Sequence, residues 1–437
     1  MKVYSLSRGG ISYEDPTVPP RVFSGTAFLP GISLIPLVDD YNNRVYPLVS
    51  IGDTVREGML IGRSKSPGTA NIHATVPGRI VRLISWKMAG GQNIEALVIR
   101  MEGSFEKLGK QEELYSWDGM LPYDLHRLIG DYGIVEMEGS GLPVSEIISS
   151  FRKESEPFTL VVRCVFDDPW LAADYVLCRE RMKAVVEGSR IIARIIRASK
   201  IIFAVSHHEK KLGEEFIYEA GNWSPPSSLV LVGSKYPQRN RRELEQALKQ
   251  YARKEEIDLG SLMILGPATL AAVHDAIRIR KPIMDRYIAV GGSAVKNPQV
   301  LKVRIGTRIA EVFNECGGFT GTPRRIALGS PLAGRAVVNL DEPILKTSYA
   351  LFAYLEKQKK GINYTCINCG ECRNVCPVGL EPDELYKQSM LSEKLTEGIF
   401  ISRAENCHGC SCCNVVCPSM LPLSSAIMDS AGRKMPL

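Results

Sequence analysis

Nine of the chain's 12 cysteines fall between Cys366 and Cys417. Cys366, Cys369, Cys372 and Cys376 are separated by two, two and three residues, and Pro377 follows. Cys407, Cys410, Cys413 and Cys417 repeat that spacing, with Pro418 behind them. Disulfide frameworks accompany secretion and small domains. A chain of 437 residues, 45% of them hydrophobic, can bury cores without such staples. Structural zinc takes four ligands per ion, typically as two separated Cys pairs. Four cysteines packed into eleven positions, twice over, suit zinc poorly. The spacing therefore predicts a C-terminal cofactor domain built around iron–sulfur clusters.

The spacing and the trailing proline resemble the bacterial ferredoxin pattern. Three thiolates two residues apart can wrap one face of a cubane, while the fourth points away. In two-cluster ferredoxins that fourth Cys ligates the other cluster. The resemblance thus implies one [4Fe–4S] on Cys366, Cys369, Cys372 and Cys417, and a second on Cys407, Cys410, Cys413 and Cys376. Pro377 and Pro418 turn the chain out of each ligand loop. Cys412 is a spare thiol that could replace Cys413 in a damaged site. His408 reads as a neighbour of the cluster or an exposed side chain. Cys164, Cys178 and Cys316 read as packed small hydrophobes.

Charge is uneven. Residues 361–437 carry six basic and eight acidic side chains, against 48 and 40 in the rest, so the body is net basic. The excess sits in short groups at 210–211, 239–242, 278–281, 324–325 and 357–360. Such groups are ordinarily a solvated surface, but they could also steer an acidic protein or nucleotide. No aromatics interleave with them, so no nucleic-acid partner is expected. No run reaches the roughly 18 apolar residues that cross a bilayer, and no signal peptide is expected at the first residues.

Length alone suggests about three domains, but the pattern divides further. Residues 1–25, rich in Pro, Gly and Ser, read as an extended arm. Residues 26–104 show short apolar runs between turns, an all-β unit. In residues 105–285 apolar runs at 158–166, 200–206, 229–233 and 262–266 alternate with helical periodicity, for example Leu244, Leu248 and Tyr251. That alternation predicts a doubly wound, mostly parallel sheet, which binds ligands beyond the C-terminal strand ends. Residues 286–345 return to short β runs. After Thr347 the character turns helical and leads into the cysteine domain, residues 346–437. The fold class is multidomain α/β.

Within the first β unit, residues 49–58 and 74–81 resemble the barrel-sandwich hybrid of biotinyl and lipoyl carriers. The family's carrier Lys is missing: the hairpin reads Thr69, Ala70, Asn71, Ile72, His73, Ala74. Covalent lipoylation is not expected, and His73 reads as a satisfied turn histidine rather than a ligand. More of the chain resembles the RnfC family, the peripheral iron–sulfur subunit of the Rnf ion-translocating electron-transport complex. The matching segments are residues 235–238, 295–299, 303–307, 315–318 and 326–334, in the family's order and followed by the ferredoxin runs. The resemblance implies a barrel-sandwich hybrid, a Rossmann-like flavin/NADH-type domain, a soluble-ligand-binding β-grasp (SLBB-like) domain and a helical two-cluster ferredoxin domain. It implies FMN and NADH binding as well.

Three loops depart from that pattern. The family's Gly-rich loop corresponds to residues 133–143, where Glu136 and Glu138 intrude beside the expected anion. Its acidic loop corresponds to residues 163–169, of which Asp168 and Pro169 keep the sense. Arg239 stands where Gly is expected. FMN and NADH are doubtful on these residues, and no catalytic or flavin-contacting residue is assigned. The expected role is electron transfer from a cytoplasmic donor, ferredoxin or flavodoxin, through the two clusters to membrane-embedded Rnf-type subunits. It makes the chain a peripheral part of a translocase at the cytoplasmic side of the cell inner membrane, held there by its partners. The alternatives are a soluble NADH-dependent flavoprotein, like the RnfC-related cobalamin reductases, and a non-catalytic iron–sulfur docking module.

Overall fold

A computed structural model describes residues 2–37, 45–65, 68–87, 93–105, 113–154, 156–355, 365–391 and 403–431. The basic group at 357–360 lies outside them. Two small sheets face each other near the N-terminus. One is antiparallel, ordered Ile32–Pro36, Asn93–Met101, Gly78–Lys87, Thr54–Val55. The other runs Tyr46–Pro47, Leu60–Arg63, Ile72–His73. Ile35, Leu37, Val55, Ile61, Val76, Ile80, Leu97 and Ile99 fill the space between them. The hairpin that would carry a lipoyl group is instead pinned: Asn71 Nδ2 donates to Asp131 O at 3.3 Å, and Lys346 Nζ to Asn71 O at 3.1 Å. His73 is buried, and one ring nitrogen has no hydrogen-bond partner. Burial and then the Lys346 charge lower its pKa to about 3.

Parallel strands Ser227–Val232, Lys200–Ser206, Phe158–Cys164 and Ser261–Leu265 form the next sheet. Continuous apolar runs give strands buried on both faces, as a parallel sheet requires. Helices Met182–Ile196 and Pro267–Arg278 cover one face and Arg241–Glu255 the other. The first two cross closely because of Gly188: a Cβ there would lie 2.0 Å from Leu270 O. The N-terminal arm is not loose at its start. Val3–Tyr4 adds a parallel edge strand beside Ser227–Val232, and Phe23–Thr26 joins the following sheet.

That following sheet is six-stranded, ordered Arg335–Ala336, Arg325–Leu328, Ala350–Tyr354, Asp285–Gly291, Gln299–Arg304, Phe23–Thr26. Helix Ile309–Glu315 packs Ile309, Val312 and Phe313 into its core. Ala350–Tyr354 corrects the helical expectation after Thr347. Four of its five residues are buried, and it lies between two other strands. A short apolar run of this kind has no period that separates strand from helix.

Short helices Glu371–Asn374, Pro382–Leu391, Cys412–Val416 and Leu423–Ser430 make up the described part of the cysteine-rich tail. Among the described residues no helix is long and apolar enough to cross a membrane.

Candidate iron–sulfur centres and the strand-end crevice

The two cysteine runs share a local backbone. Asn368, Gly370 and Gly379 have positive φ, and so do Gly409, Ser411 and Met420, their counterparts in the second run. Each left-handed residue turns the chain back on itself within a short loop that carries the thiols, of which Cys369 is exposed while Cys372, Cys376, Cys407 and Cys413 are buried. Cys372 and Cys413 sit on the one-turn helices, while Cys376 and Cys417 lie just beyond them.

The thiols surround two cavities. One is lined by Cys366, Cys369, Cys372 and Cys417, with Asp383 at its wall. The other is lined by Cys376, Cys407, Cys410 and Cys413 together with Cys412 and His408. Each cavity thus takes three thiols from one run and the fourth from the other. Among the described residues no three His, Cys, Asp or Glu converge as a group that could hold a metal ion. The quartets are instead spread around cavities, an arrangement that suits a multi-iron cube better than a lone tetrahedral ion with sulfurs about 2.3 Å away. Backbone amides already face the sulfurs: Leu380 N–H donates to Cys376 Sγ at 3.2 Å and Gly409 N–H to Cys407 Sγ at 3.5 Å. Burial pushes the Cys372 thiol up to about 11, with Asp383 adding to the shift. Ligation must therefore displace a proton. The donor set fits two cubanes.

The second cavity leans on the parallel-sheet domain. His408 Nδ1 lies 3.1 Å from Glu243 Oε1, a carboxylate buried at the start of helix Arg241–Glu255. The Cys412 thiol, fully buried, donates to Tyr236 O at 3.9 Å. Gly10 N–H donates to Val375 O at 3.0 Å. Cys412 is thus a domain-contact residue, and His408 is partly buried against the Glu243 carboxylate. Cys164 and Cys178 are buried with their sulfurs 3.9 Å apart, and Cys316 is buried in the six-stranded sheet's core.

The crevice beyond the parallel strands holds the three departing loops. Glu138, on the loop corresponding to the Gly-rich one, accepts from Ala268 N–H at 2.5 Å and Thr269 N–H at 3.1 Å, and from the Thr269 hydroxyl. Those amides begin helix Pro267–Arg278. Glu136 pairs with Arg163 at 3.1 Å. Arg239 pairs with Asp174 at 3.1 Å, and its N–H donates to Asp167 at 2.8 Å. Arg286 Nη2 donates to Met137 O at 3.1 Å. Flavin and dinucleotide phosphates need such amides free. Here the Ala268 and Thr269 amides are taken by Glu138, so this helix start does not fit a flavin or dinucleotide phosphate. Sequence reasoning found the intruding glutamates but not their partner, because residues 138 and 268 are distant in the chain.

Asp167 and Asp168 end the loop after Phe158–Cys164. Burial is the first cause of both shifts, raising Asp167 to about 6 and Asp168 to about 7. An unfolded Asp ionises near 4 while buried Asp168 stays neutral, so stability falls as pH rises from about 4 towards 7 and then levels. Asp168→Asn keeps an acceptor for Trp170 N–H, which Asp168 holds at 2.8 Å. Thermal melts of this variant should show a higher Tm at pH 8 and a flatter pH dependence. An unchanged slope between pH 4 and 7 would contradict this assignment.

Comparison with known proteins follows the same division. Residues 25–104 match the family model described as RnfC barrel sandwich hybrid domain. Residues 129–275 match the Nuo51 FMN-binding domain, and residues 287–338 the SLBB domain. A component of the ion-translocating oxidoreductase complex of Rhodobacter capsulatus is 29% identical over 363 residues, 82% of this chain and 69% of the relative. A component of the proton-translocating ferredoxin:NAD(+) oxidoreductase complex of Clostridium ljungdahlii is 29% identical over 84% of this chain and 79% of its own. Its Na(+)-translocating counterpart from Acetobacterium woodii is 26% identical, covering 82% of each. Among solved structures, a chain of an NAD+-reducing [NiFe]-hydrogenase aligns with a TM-score of 0.50 at 13% identity. The alignment covers 72% of this chain but only 61% of that one, and it speaks to fold alone.

Proposed function

This chain belongs to the RnfC family, and on that premise we propose that it carries electrons through two [4Fe–4S] clusters within an ion-translocating oxidoreductase complex. Electron transport and oxidoreductase chemistry are common to its relatives. Flavin and iron–sulfur chemistry belong to the proteins it resembles. The observation that carries this reading is the crossed pair of thiol cavities. Cys366, Cys369, Cys372 and Cys417 hold one cluster; Cys376, Cys407, Cys410 and Cys413 hold the other. The clusters supply one-electron transfer when bound. The protein's part is to place them, exclude water and aim amides at the sulfurs, the levers that set cluster potential.

A ferredoxin or flavodoxin is the donor, and membrane-embedded subunits accept the electrons and couple them to ion movement. The chain sits peripherally at the cytoplasmic side of the membrane, attached through those partners. Its net basic body would speed association with an acidic donor, so the association rate should fall steeply with salt. A flat salt response would remove that role from the body.

The direct test is an iron and sulfide determination on anaerobically purified full-length protein, with electron paramagnetic resonance of the reduced form. About eight irons and an equal amount of sulfide are expected. Stoichiometric zinc without sulfide would overturn the proposal.

A further inference from the structure

We propose that Glu138 is a built-in substitute for a bound phosphate: it closes the flavin crevice of this chain, which therefore exchanges electrons only one at a time. In a doubly wound sheet the helix starts beyond the strand ends offer backbone amides to an anion. The Glu138 carboxylate takes that place by accepting from Ala268 N–H and Thr269 N–H.

The substitution is built from several sides. A Cβ at Gly266 would lie 2.2 Å from the Glu138 side-chain carbon, so the strand-to-helix turn leaves room for this carboxylate and little else. The neighbouring backbone is held as well. Met137 N–H donates to Thr269 Oγ1 at 2.8 Å, and Met137 O accepts from Arg286. Arg163 donates to Glu138 O at 3.3 Å while pairing with Glu136. Arg239 brings in the loop after Ser227–Val232, tying it to Asp167 and Asp174. Over the loop after Phe158–Cys164, Trp170 is almost fully buried and donates its Nε1–H to Asp15 at 2.9 Å. Elements from four parts of the chain thus interlock where a flavin or dinucleotide would have to enter.

A chemical limit follows, resting on the two-cluster reading above. A nicotinamide donor releases a hydride, which carries two electrons. Each cubane takes one electron as its iron is reduced by one unit of charge. With the crevice closed, the described residues of this chain offer no site for a group that accepts a hydride and releases its electrons singly. Its electron donors are one-electron carriers.

The test uses the anaerobically purified full chain, incubated with FMN and passed over a desalting column. No flavin should stay with the protein. NADH should leave the cluster absorbance unchanged, while dithionite bleaches it. Stoichiometric FMN, or bleaching by NADH alone, would overturn the proposal. A protein without iron that still excludes FMN would sink the two-cluster reading and leave the closed crevice standing. Glu138→Ala supplies the positive arm, with inorganic phosphate as the probe. Phosphate should raise the variant's Tm by several degrees and leave the parent unmoved. A folded variant indifferent to phosphate would refute the substitution. Should the variant not fold, flavin retention by the parent decides.

Discussion

Replacing Cys376 with Ser should remove the cluster of the second cysteine run, not that of its own run. Cys376 lines the same cavity as Cys407, Cys410 and Cys413, and it packs with Leu380, Leu385, Ala404, Cys407 and Ile427. Cys417 lies in the opposite cavity with Cys366, Cys369 and Cys372. Iron should fall from about eight to about four per chain, since one cube is lost and the other keeps all its ligands. Iron content alone does not show which cube went. A comparison of reduced-state paramagnetic spectra does. Cys376→Ser should match Cys407→Ser, and Cys417→Ser should match Cys366→Ser. If Cys376→Ser matched Cys366→Ser instead, each run would hold its own cluster. Loss of both cubes should also cost folding of the tail, because metal binding in so small a unit is part of its folding free energy. Among its described residues, four short helices enclose few large apolar side chains, and thiols supply much of the buried interior.

The repeat of the two cysteine runs was legible because spacing is a local property, and the repeated positive-φ positions obey the same spacing. The parallel strands were legible for a similar reason: runs such as Phe158–Cys164 are apolar throughout and end in turn residues. Ala350–Tyr354 was not, since a short apolar run with no alternation fits either period. Val3–Tyr4 was not, since two residues carry no pattern and their pairing with Leu231 and Val232 is long-range. The glutamates of the strand-end crevice show a deeper limit. As sequence, Glu136 and Glu138 are charges that would repel a phosphate. In three dimensions the Glu138 carboxyl takes the anion's place, and its donors come about 130 residues later. A Gly-Pro pair opening a helix at Gly266 and Pro267 was the available signal, but nothing in it names the carboxylate that would fill the gap.

Arg286→Leu should destabilise the protein by about 3–5 kcal/mol, the usual cost of removing one member of a buried charge set. Arg286 is 1% exposed on strand Asp285–Gly291. Its Nε–H donates to Ser348 O at 2.8 Å and its Nη2 to Met137 O at 3.1 Å, with Asp174 at 3.7 Å. One side chain thereby joins the six-stranded sheet, the crevice loop and the helix that bears Asp174. Leucine would leave two carbonyls without these donors, and it would leave Asp174 with Arg239 alone. The neighbouring carboxylates make matters worse, because Glu138 is already raised by burial and by Asp174, and Arg286 is the cation that lowers it. Without that cation the unfolded state, in which the carboxylates ionise in water, gains on the folded one as pH rises. The variant's deficit should therefore be smaller at pH 5 than at pH 8. Arg308→Leu is the control: its pairs with Glu311 and Asp341 are on the surface, and about 1 kcal/mol or less is expected. Denaturant melts at both pH values measure all three proteins. Equal, small losses for the two variants would mean that Arg286 is not the rivet between these domains. A large loss that Asp174→Asn partly relieves in the double variant would assign the cost to the stranded carboxylate rather than to lost packing.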